Sequence, residues 1–440
     1  MSATQSTGLH ENSSPMNPMN KTQVLPSSSA QTTAPSFSLA RRLVLPVLQR
    51  MKEEGMTLTL PDGSQQFLGS RDSSVQAEMT IHQDAFFQKV LRFGDIGFGE
   101  SYVDGDWDTP SIELVIAWAI ANIDHSPGMS GSKATAMALN FLRSTNRIKH
   151  LLRPNNKKIA ERNIAEHYDL GNDFYRLWLD ETLTYSSGLF ASPETTLHES
   201  QLAKYGALCR KVKLCATDHV LEIGTGWGGF ACYAAEHYGC RVTTVTISER
   251  QFAYATERVA RAGLSDRIEV RKQDFRDVPG QFDKIVSIEM MEALGDKYLR
   301  PYCEQLHRLL KPAGMVGLQY ITVPDSRHAD LRRGVDWIQK HIFPGSLLLS
   351  IGRVSQTLQK TGDLFLHDLQ DIGLSYARTL HLWWETFNSK LPEVLALGFD
   401  DAFIRKWNYY LQYCEAAFAT RNISVVQAIY TRPNNPLLCS

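Results

Sequence analysis

His219-Val220-Leu221-Glu222-Ile223-Gly224-Thr225-Gly226-Trp227-Gly228-Gly229-Phe230 decides the fold of this chain. Val220–Ile223 is a short apolar strand carrying one acid, Glu222; a glycine-rich turn follows, then a helical pattern through His237. Strand, tight turn and helix in that order open a parallel α/β domain. Gly224, Gly226 and Gly229 satisfy G-x-G-x-x-G. Glycines there let the backbone approach a ligand and adopt positive φ, and the helix start behind them favours a negative group. The spacing alone leaves two ligands open, a dinucleotide or the adenosyl group of S-adenosylmethionine.

Downstream, strand and helix keep alternating. Val242–Ile247 is a second strand, and Ser248 with Gln251 three residues on forms a capping box for a helix to Ala262. Ile268–Arg271 and Lys284–Ile288 are strands three and four. A helix over Tyr298–Leu310, a turn at Pro312-Ala313-Gly314 and strand five over Met315–Ile321 follow. Phe365–Asp368 and Val425–Tyr430 complete the sheet, with aromatic-rich helical material over 323–360 and 373–420.

Two features favour the sulfonium cofactor. Glu222 stands just before the glycines, where a carboxylate suits a cationic ligand and opposes a pyrophosphate. Gln273-Asp274 follows strand three, where an amide or acid can hydrogen-bond the adenine amino group. Glu249 lies at the usual ribose-binding place, or serves as a favourable charge in the first turn of a helix.

Upstream, residues 1–36 are rich in Ser, Thr, Gln, Asn and Pro and read as a disordered tail. Poverty in arginine weighs against a transit peptide. Ser36–Met56 reads as an amphipathic helix that Pro46 would kink or split, able to rest on a membrane or to cap a domain. Strands at Thr57–Leu60 and Val75–Ile81, a helix over Asp84–Phe93, a glycine-punctuated loop over Gly94–Tyr102 and a helix over Pro110–Ile123 make residues 37–125 a small α+β domain. Residues 126–165 form a connector in which Arg143, Arg147, Lys149, Arg153, Lys157, Lys158 and Arg162 face one acid, Glu161. Such a run is a solvated linker or a contact with anionic headgroups.

Composition bounds the rest. Hydrophobic content of 43% and charged content of 21% suit a globular protein, and a net charge of −1 argues against nucleic acid as a partner. The seven cysteines include no C-x-x-C pair, so neither a zinc site nor a disulfide framework is expected, and a reducing cytosol is the default compartment. No apolar run reaches the roughly 18 residues a membrane-spanning helix needs.

Several longer motifs carry a resemblance: His167-Tyr168-Asp169-Leu170-Gly171-Asn172-Asp173-Phe174-Tyr175, the glycine turn, Val245-Thr246-Ile247-Ser248-Glu249-Arg250-Gln251 and His341-Ile342-Phe343-Pro344-Gly345. With them the segment from about 165 to 432 resembles the cyclopropane-fatty-acyl-phospholipid synthase family, which includes the mycolic acid cyclopropane synthases. Gly97-Phe98-Gly99-Glu100-Ser101-Tyr102 and Asp104-Gly105-Asp106-Trp107 resemble the extra domain of bacterial members. The resemblance implies a class I methyltransferase: α/β, Rossmann-like, a doubly wound seven-stranded sheet over 166–435, behind a small lipid-facing α+β domain. It implies that Tyr185 and Ser186, the turn from Glu222 through Gly224, Thr225, Gly226 and Gly228, then Thr246, Ser248 and Gln251, and Gln273 with Asp274 line the S-adenosylmethionine site. It implies as substrate the double bond of an unsaturated acyl chain in membrane phospholipid, reached by peripheral contact from the cytoplasm at the inner membrane face. A homodimer is compatible with it.

An isolated alkene is a poor nucleophile, so the methyl must be held in line with it. The carbocation that results needs a dry, aromatic-lined pocket with an anion nearby, and a base must then take a proton. Family members use a bicarbonate ion as that base, held by a cysteine, a glutamate, a histidine, a backbone position and a tyrosine. The matching positions here are Ser187, Glu292, Gln319, Ile321 and Tyr376. Ser187 and Gln319 depart from the pattern: both still hydrogen-bond an anion, but neither titrates near neutrality. Cys414 matches a cysteine proposed as catalytic in the family. The expected product is a cyclopropane fatty acid. Because of Ser187 and Gln319, a methyl-branched or methylene acyl chain without ring closure stays open. A non-catalytic lipid-binding module would show a broken cofactor turn or a lost Glu292, and neither is seen.

Overall fold

A computed structural model describes residues 38–123, 170–332 and 334–438. The tail 1–36, the basic connector and His167-Tyr168-Asp169 lie outside the described residues. From Ser38 onward the chain forms one compact unit.

The glycine turn sits at the centre of a seven-stranded sheet. Its strands are β5 (His219–Ile223), β6 (Arg241–Thr246), β7 (Ile268–Lys272), β8 (Phe282–Ile288), β9 (Leu310–Thr322), β10 (Phe365–Asp371) and β11 (Ser424–Thr431). Their order is β10-β11-β9-β8-β5-β6-β7. All neighbours run parallel except β11, which is antiparallel to both β9 and β10. Successive residues of the central strands enter different cores. Leu221, Ile285, Val316 and Leu318 pack with helices Asp296–Leu309 and Ile351–Thr361. Val220, Val242, Val286 and Met315 pack with helices Leu197–Lys211 and Gly229–Tyr238. Both faces are therefore covered, which is why these strands read as apolar runs rather than alternating ones. The expected doubly wound α/β sheet of seven strands is what the chain forms. Strand five starts earlier than Met315, because Leu310 already pairs with Phe282 across an irregularity in register.

Ahead of it stands a smaller sheet, order β2-β1-β3-β4, built from β1 (Gly55–Thr59), β2 (Gln65–Gly69), β3 (Gln76–Ile81) and β4 (Trp107–Asp108). Three local readings need correction. The first helix is Leu39–Leu48, ending two residues after Pro46 instead of reaching Met56, and the chain then enters β1. The strand β2 follows the turn at Gly63, where no strand was expected. Most instructive, Gly94–Tyr102 is not a loop: Asp95–Val103 is a helix. Its glycines are there for close approach. A Cβ on Gly97 would lie 2.1 Å from the Lys89 carbonyl oxygen in helix Ala85–Phe93, and one on Gly99 would lie 2.5 Å from the Trp337 ring.

The smaller sheet shares one core with the aromatic helices Gly373–Ser389 and Asp401–Ala419, through Trp107, Trp118, Trp383 and Tyr409 among others. Polar clamps lock the junction. Arg405 donates to the carbonyls of Tyr102 (2.7 Å) and Trp107 (3.0 Å), and Gln412 accepts from the Ile112 N–H at 3.1 Å. Glu100 accepts from Lys340 and pairs with His341 at 2.9 Å, tying the glycine-bearing helix to the His341–Gly345 segment.

Because the Gly97 contact is with backbone, Gly97→Ala forces two helices apart and should cost about 1–3 kcal/mol, as overpacking does. Urea denaturation measures this; an unchanged midpoint would show that the two helices are not packed this closely.

Candidate functional site

A cleft opens at the carboxyl ends of β5, β6 and β8, where ligands bind in open α/β sheets. The turn after β5 forms its floor, with Gly224 at φ +101° and Gly226 at φ +53°, values that favour glycine. Gly224, Thr225 and Gly226 line the cleft, with Glu222 behind them. Thr246 and Gln251 stand on one wall, Gln273 and Asp274 on another, and Tyr185 and Ser186 close the front. Two of the expected cofactor residues act from outside the lining. Gly228, at φ +85°, starts the helix Gly229–Tyr238, and Ser248 caps the helix Glu249–Arg261 by accepting from the Gln251 N–H. The expected capping box is only half formed, because the Gln251 side chain accepts instead from the Thr246 hydroxyl at 2.8 Å.

Asp274 lines the cleft but is already engaged. Both carboxylate oxygens accept from the Arg276 guanidinium, and Oδ1 also takes the Arg276 N–H. Gln273 donates its amide to the Asp277 carbonyl at 2.9 Å and keeps its acceptor oxygen.

Glu222 is only 3% exposed, and Thr244, a residue the sequence did not single out, places its hydroxyl 2.6 Å from the carboxyl and 2.7 Å from the Thr225 hydroxyl. Burial pushes the Glu222 carboxyl up to about 8, outweighing the hydrogen bond from Thr244. Among the described residues no cation offsets this burial, and the group is held mostly neutral at pH 7. A cation bound in the cleft favours the ionised form. Burial that raises a carboxyl in this way is the environment a sulfonium or ammonium ligand relieves, so the cleft fits S-adenosylmethionine.

Beyond the cofactor cleft the polar residues of the expected anion site do come together, but around a residue that was not expected there. Glu289 follows β8 with a backbone φ of +48°, a left-handed conformation that costs a non-glycine residue energy. Its Oε1 accepts from the Ser187 N–H at 2.9 Å and from the Gln319 amide at 2.8 Å. The Tyr376 hydroxyl faces the same carboxyl and favours its ionised form. Gln319 is oriented in turn by Gln427, whose amide donates to its oxygen at 3.1 Å. Glu289 also lines the cofactor cleft.

Glu292 stands one turn further on, outside the cleft lining. Its Oε1 accepts from the Ile321 N–H, while Oε2 is buried with no hydrogen-bond partner among the described residues. Burial first, and the Glu289 charge second, push the Glu292 carboxyl up to about 8. Glu289 is raised too, by burial, with Lys204 and its three donors working the other way. Lys204, also missed, is fully buried on helix 197–211; it donates to the Ser186 hydroxyl and to Gln201, both at 2.6 Å, and burial lowers its ammonium to about 7. Cys414 lies on helix 401–419 against the aromatic core, and burial drives its thiol far above neutrality. It is a thiol there and has no charge to contribute.

An aromatic wall joins the two regions. Tyr185 lines the cofactor cleft, and its ring centroid lies 5.3 Å from Trp383 and 6.4 Å from Phe343. Its hydroxyl meets that of Tyr410 at 2.7 Å. Tyr376 packs on Phe418 at 4.4 Å.

The sheet order and cleft define a class I S-adenosylmethionine-dependent methyltransferase. Within that class the chain belongs to the mycolic acid cyclopropane synthetase family, whose model matches residues 155–428. It is 36% identical to the tuberculostearic acid methyltransferase UfaA1 of Mycobacterium tuberculosis, over 92% of this chain and 93% of that one. It is 34% identical to the cyclopropane-fatty-acyl-phospholipid synthase of Escherichia coli strain K12, over 82% of this chain and 89% of that one. Among solved structures it is similar to the mycolic acid cyclopropane synthase CmaA1 complexed with SAH and CTAB, at a TM-score of 0.57 and 28% identity, over 62% of this chain and 98% of that one.

The raised Glu222 carboxyl has a testable sign. Its native form keeps a proton that the unfolded chain, with a carboxyl near 4.5, gives up, so the stability it contributes is full below about 4.5 and lost as pH rises through about 8. Glu222→Gln keeps an acceptor for Thr244 and removes the ionisation. In cofactor-free protein its melting temperature should gain on the wild type steadily between about pH 5 and about pH 8, while its affinity for S-adenosylmethionine falls by about tenfold or more at the upper end. A melting difference that does not change with pH would contradict this account of Glu222.

Proposed function

We propose that this protein transfers a methyl group from S-adenosylmethionine onto the double bond of an unsaturated fatty-acyl chain carried by a membrane phospholipid. The observation that carries the reading is the junction at Tyr185. One side of it is a cleft with a carboxyl awaiting a cation; the other is an aromatic, buried wall with two carboxyls at its edge. Bound in the cleft, the cofactor supplies an electrophilic methyl. The alkene π pair forms the new carbon–carbon bond as the carbon–sulfur pair leaves with sulfur, and the adjacent carbon becomes cationic. The faces of Tyr185 and Trp383 and the charge beside Tyr376 stabilise that cation while excluding water. Loss of a proton completes the reaction. If the C–H pair of the new methyl closes onto the cation, the product is a cyclopropane.

Support for a fatty-acyl substrate comes from the relatives named as acting on such chains. Support for membrane contact comes from helix 39–48, which exposes Leu39 and Leu43 at 73% and 51% beside Arg42. We place the protein in the cytoplasm, peripheral to the inner membrane face. Among the described residues no helix is long and apolar enough to cross a membrane.

A second reading, a methyl-branched or methylene acyl chain without ring closure, is favoured by Ser187 and Gln319, which stand in place of two titratable side chains and are held within the chain, the Ser187 hydroxyl on the Gly188 carbonyl and the Gln319 amide on Glu289. Expression in a host lacking its own synthase, with labelled methionine and lipid mass spectrometry, separates these. Labelled acyl chains about 14 mass units heavier should appear, as one added CH2 requires. Resistance to mild hydrogenation identifies the cyclopropane and hydrogen uptake the methylene or methylated alkene. Absence of label from every acyl chain supplied would overturn the reading.

A further inference from the structure

Bicarbonate, the base that the family resemblance implies, does not fit this site. The groups expected to hold it are already engaged within the chain: the Ser187 hydroxyl donates to the Gly188 carbonyl at 2.9 Å, and the other donors are paired with carboxyl groups. The Ser187 N–H and the Gln319 amide converge on Glu289 Oε1 at 2.9 and 2.8 Å, and the Tyr376 hydroxyl joins them. The Ile321 N–H belongs to Glu292. A bicarbonate ion would add a third acid group beside two that already share a buried space, where like charges oppose one another.

We propose that Glu289 itself occupies the place of the anion and is the catalytic base of this protein, so that the reaction requires no bicarbonate. This rests on the reading of the protein as an alkene methyltransferase and adds to it the identity of the proton acceptor. The geometry is that of a built anion site. A backbone N–H, a side-chain amide and a hydroxyl all point at one carboxylate, and the Gln319 amide is itself fixed by Gln427. Glu289 is delivered by a left-handed backbone turn, and its own N–H is anchored on the Gln319 carbonyl at 2.7 Å. Strain of this kind persists where the surroundings over-determine it, as they do here. The buried Lys204 ammonium acts on Glu289 from the Ser186 side and favours its ionised form, while Glu292 faces it from the other side in a largely neutral state.

The step balances without any further reagent. After methyl transfer, a C–H bond beside the cation breaks. Its electron pair closes the three-membered ring or forms a carbon–carbon double bond, and the proton passes to the Glu289 carboxylate, leaving a neutral carboxylic acid. Ionisation of that acid to solvent resets the site. The Ser187 N–H and the Gln319 amide are then partners suited to a fixed side chain: neither titrates, and the group they hold never leaves.

Two variants and one depletion test this. Wild-type protein assayed with unsaturated phospholipid vesicles in CO2-free buffer should keep its methyl-transfer rate within about twofold of that in bicarbonate buffer. Glu289→Gln should lose about 10²-fold or more, the contribution expected of a positioned base, with S-adenosylmethionine affinity by calorimetry retained. Glu289→Gly, which suits the positive φ and empties the cradle, should regain turnover as bicarbonate or formate is added, and should broaden the 13C resonance of labelled bicarbonate where the wild type does not. A wild type that stops when bicarbonate is removed overturns the proposal, as does Glu289→Gln with normal turnover. A wild type that labels no acyl chain in either buffer overturns the methyltransferase reading instead, and the wild-type depletion decides the matter even where a variant fails to fold.

Discussion

The structure depends on one requirement: a carboxyl group buried at the end of β8 must be hydrogen-bonded from every side. Meeting it fixes the relative position of four parts of the chain. The segment after Thr184 supplies the Ser187 N–H, β9 supplies Gln319, helix 373–389 supplies Tyr376, and β11 supplies the Gln427 that orients Gln319. The same segment carries Tyr185 and Ser186 to the mouth of the cofactor cleft. Cofactor, aromatic wall and anion are thus set in register by one polar cluster, and an error of an ångström there would be felt at the reacting carbon.

Two buried acids do different work by similar physics. Glu222 and Glu292 are both pushed up to about 8 by burial. At Glu222 a hydroxyl partner and an open cleft leave the charge to be drawn out by a cationic ligand. At Glu292 burial raises the carboxyl first and the neighbouring Glu289 adds to it, because two like charges in one buried space oppose each other. Glu292 positions the end of β9 through Ile321, while Glu289, raised by burial, is drawn the other way by Lys204 and by its hydrogen-bond donors.

Most of the sheet was legible because strands covered on both faces must be apolar throughout, and the turn after β5 must be glycine where φ is positive. The Gly94–Tyr102 segment was misread because glycine marks loops and close helix contacts alike, and only the neighbour at Lys89 distinguishes them. The expected cofactor residues came from the family resemblance, with Glu222, Gln273 and Asp274 also read from their places beside strand ends. Gly228 and Ser248 shape the helices behind the cleft and do not line it. Glu289 escaped notice because the Glu289-Met290-Met291-Glu292 run offers two acids, and the family match selects the second. A left-handed turn at the first cannot be read from residue types. The signal was nonetheless present: two lost ionisable partners, Ser187 and Gln319, and one extra acid three residues before Glu292 amount to a compensating exchange.

The central claim is that the chain's own carboxylate fills the position of an external base. A crystal structure of the protein with S-adenosylhomocysteine, grown in saturating bicarbonate, tests it most directly. The account predicts Glu289 on the Ser187 N–H and the Gln319 amide, with no triangular anion beside it. A bicarbonate bound to Ser187, Gln319 and Tyr376, with Glu289 turned away, would contradict it.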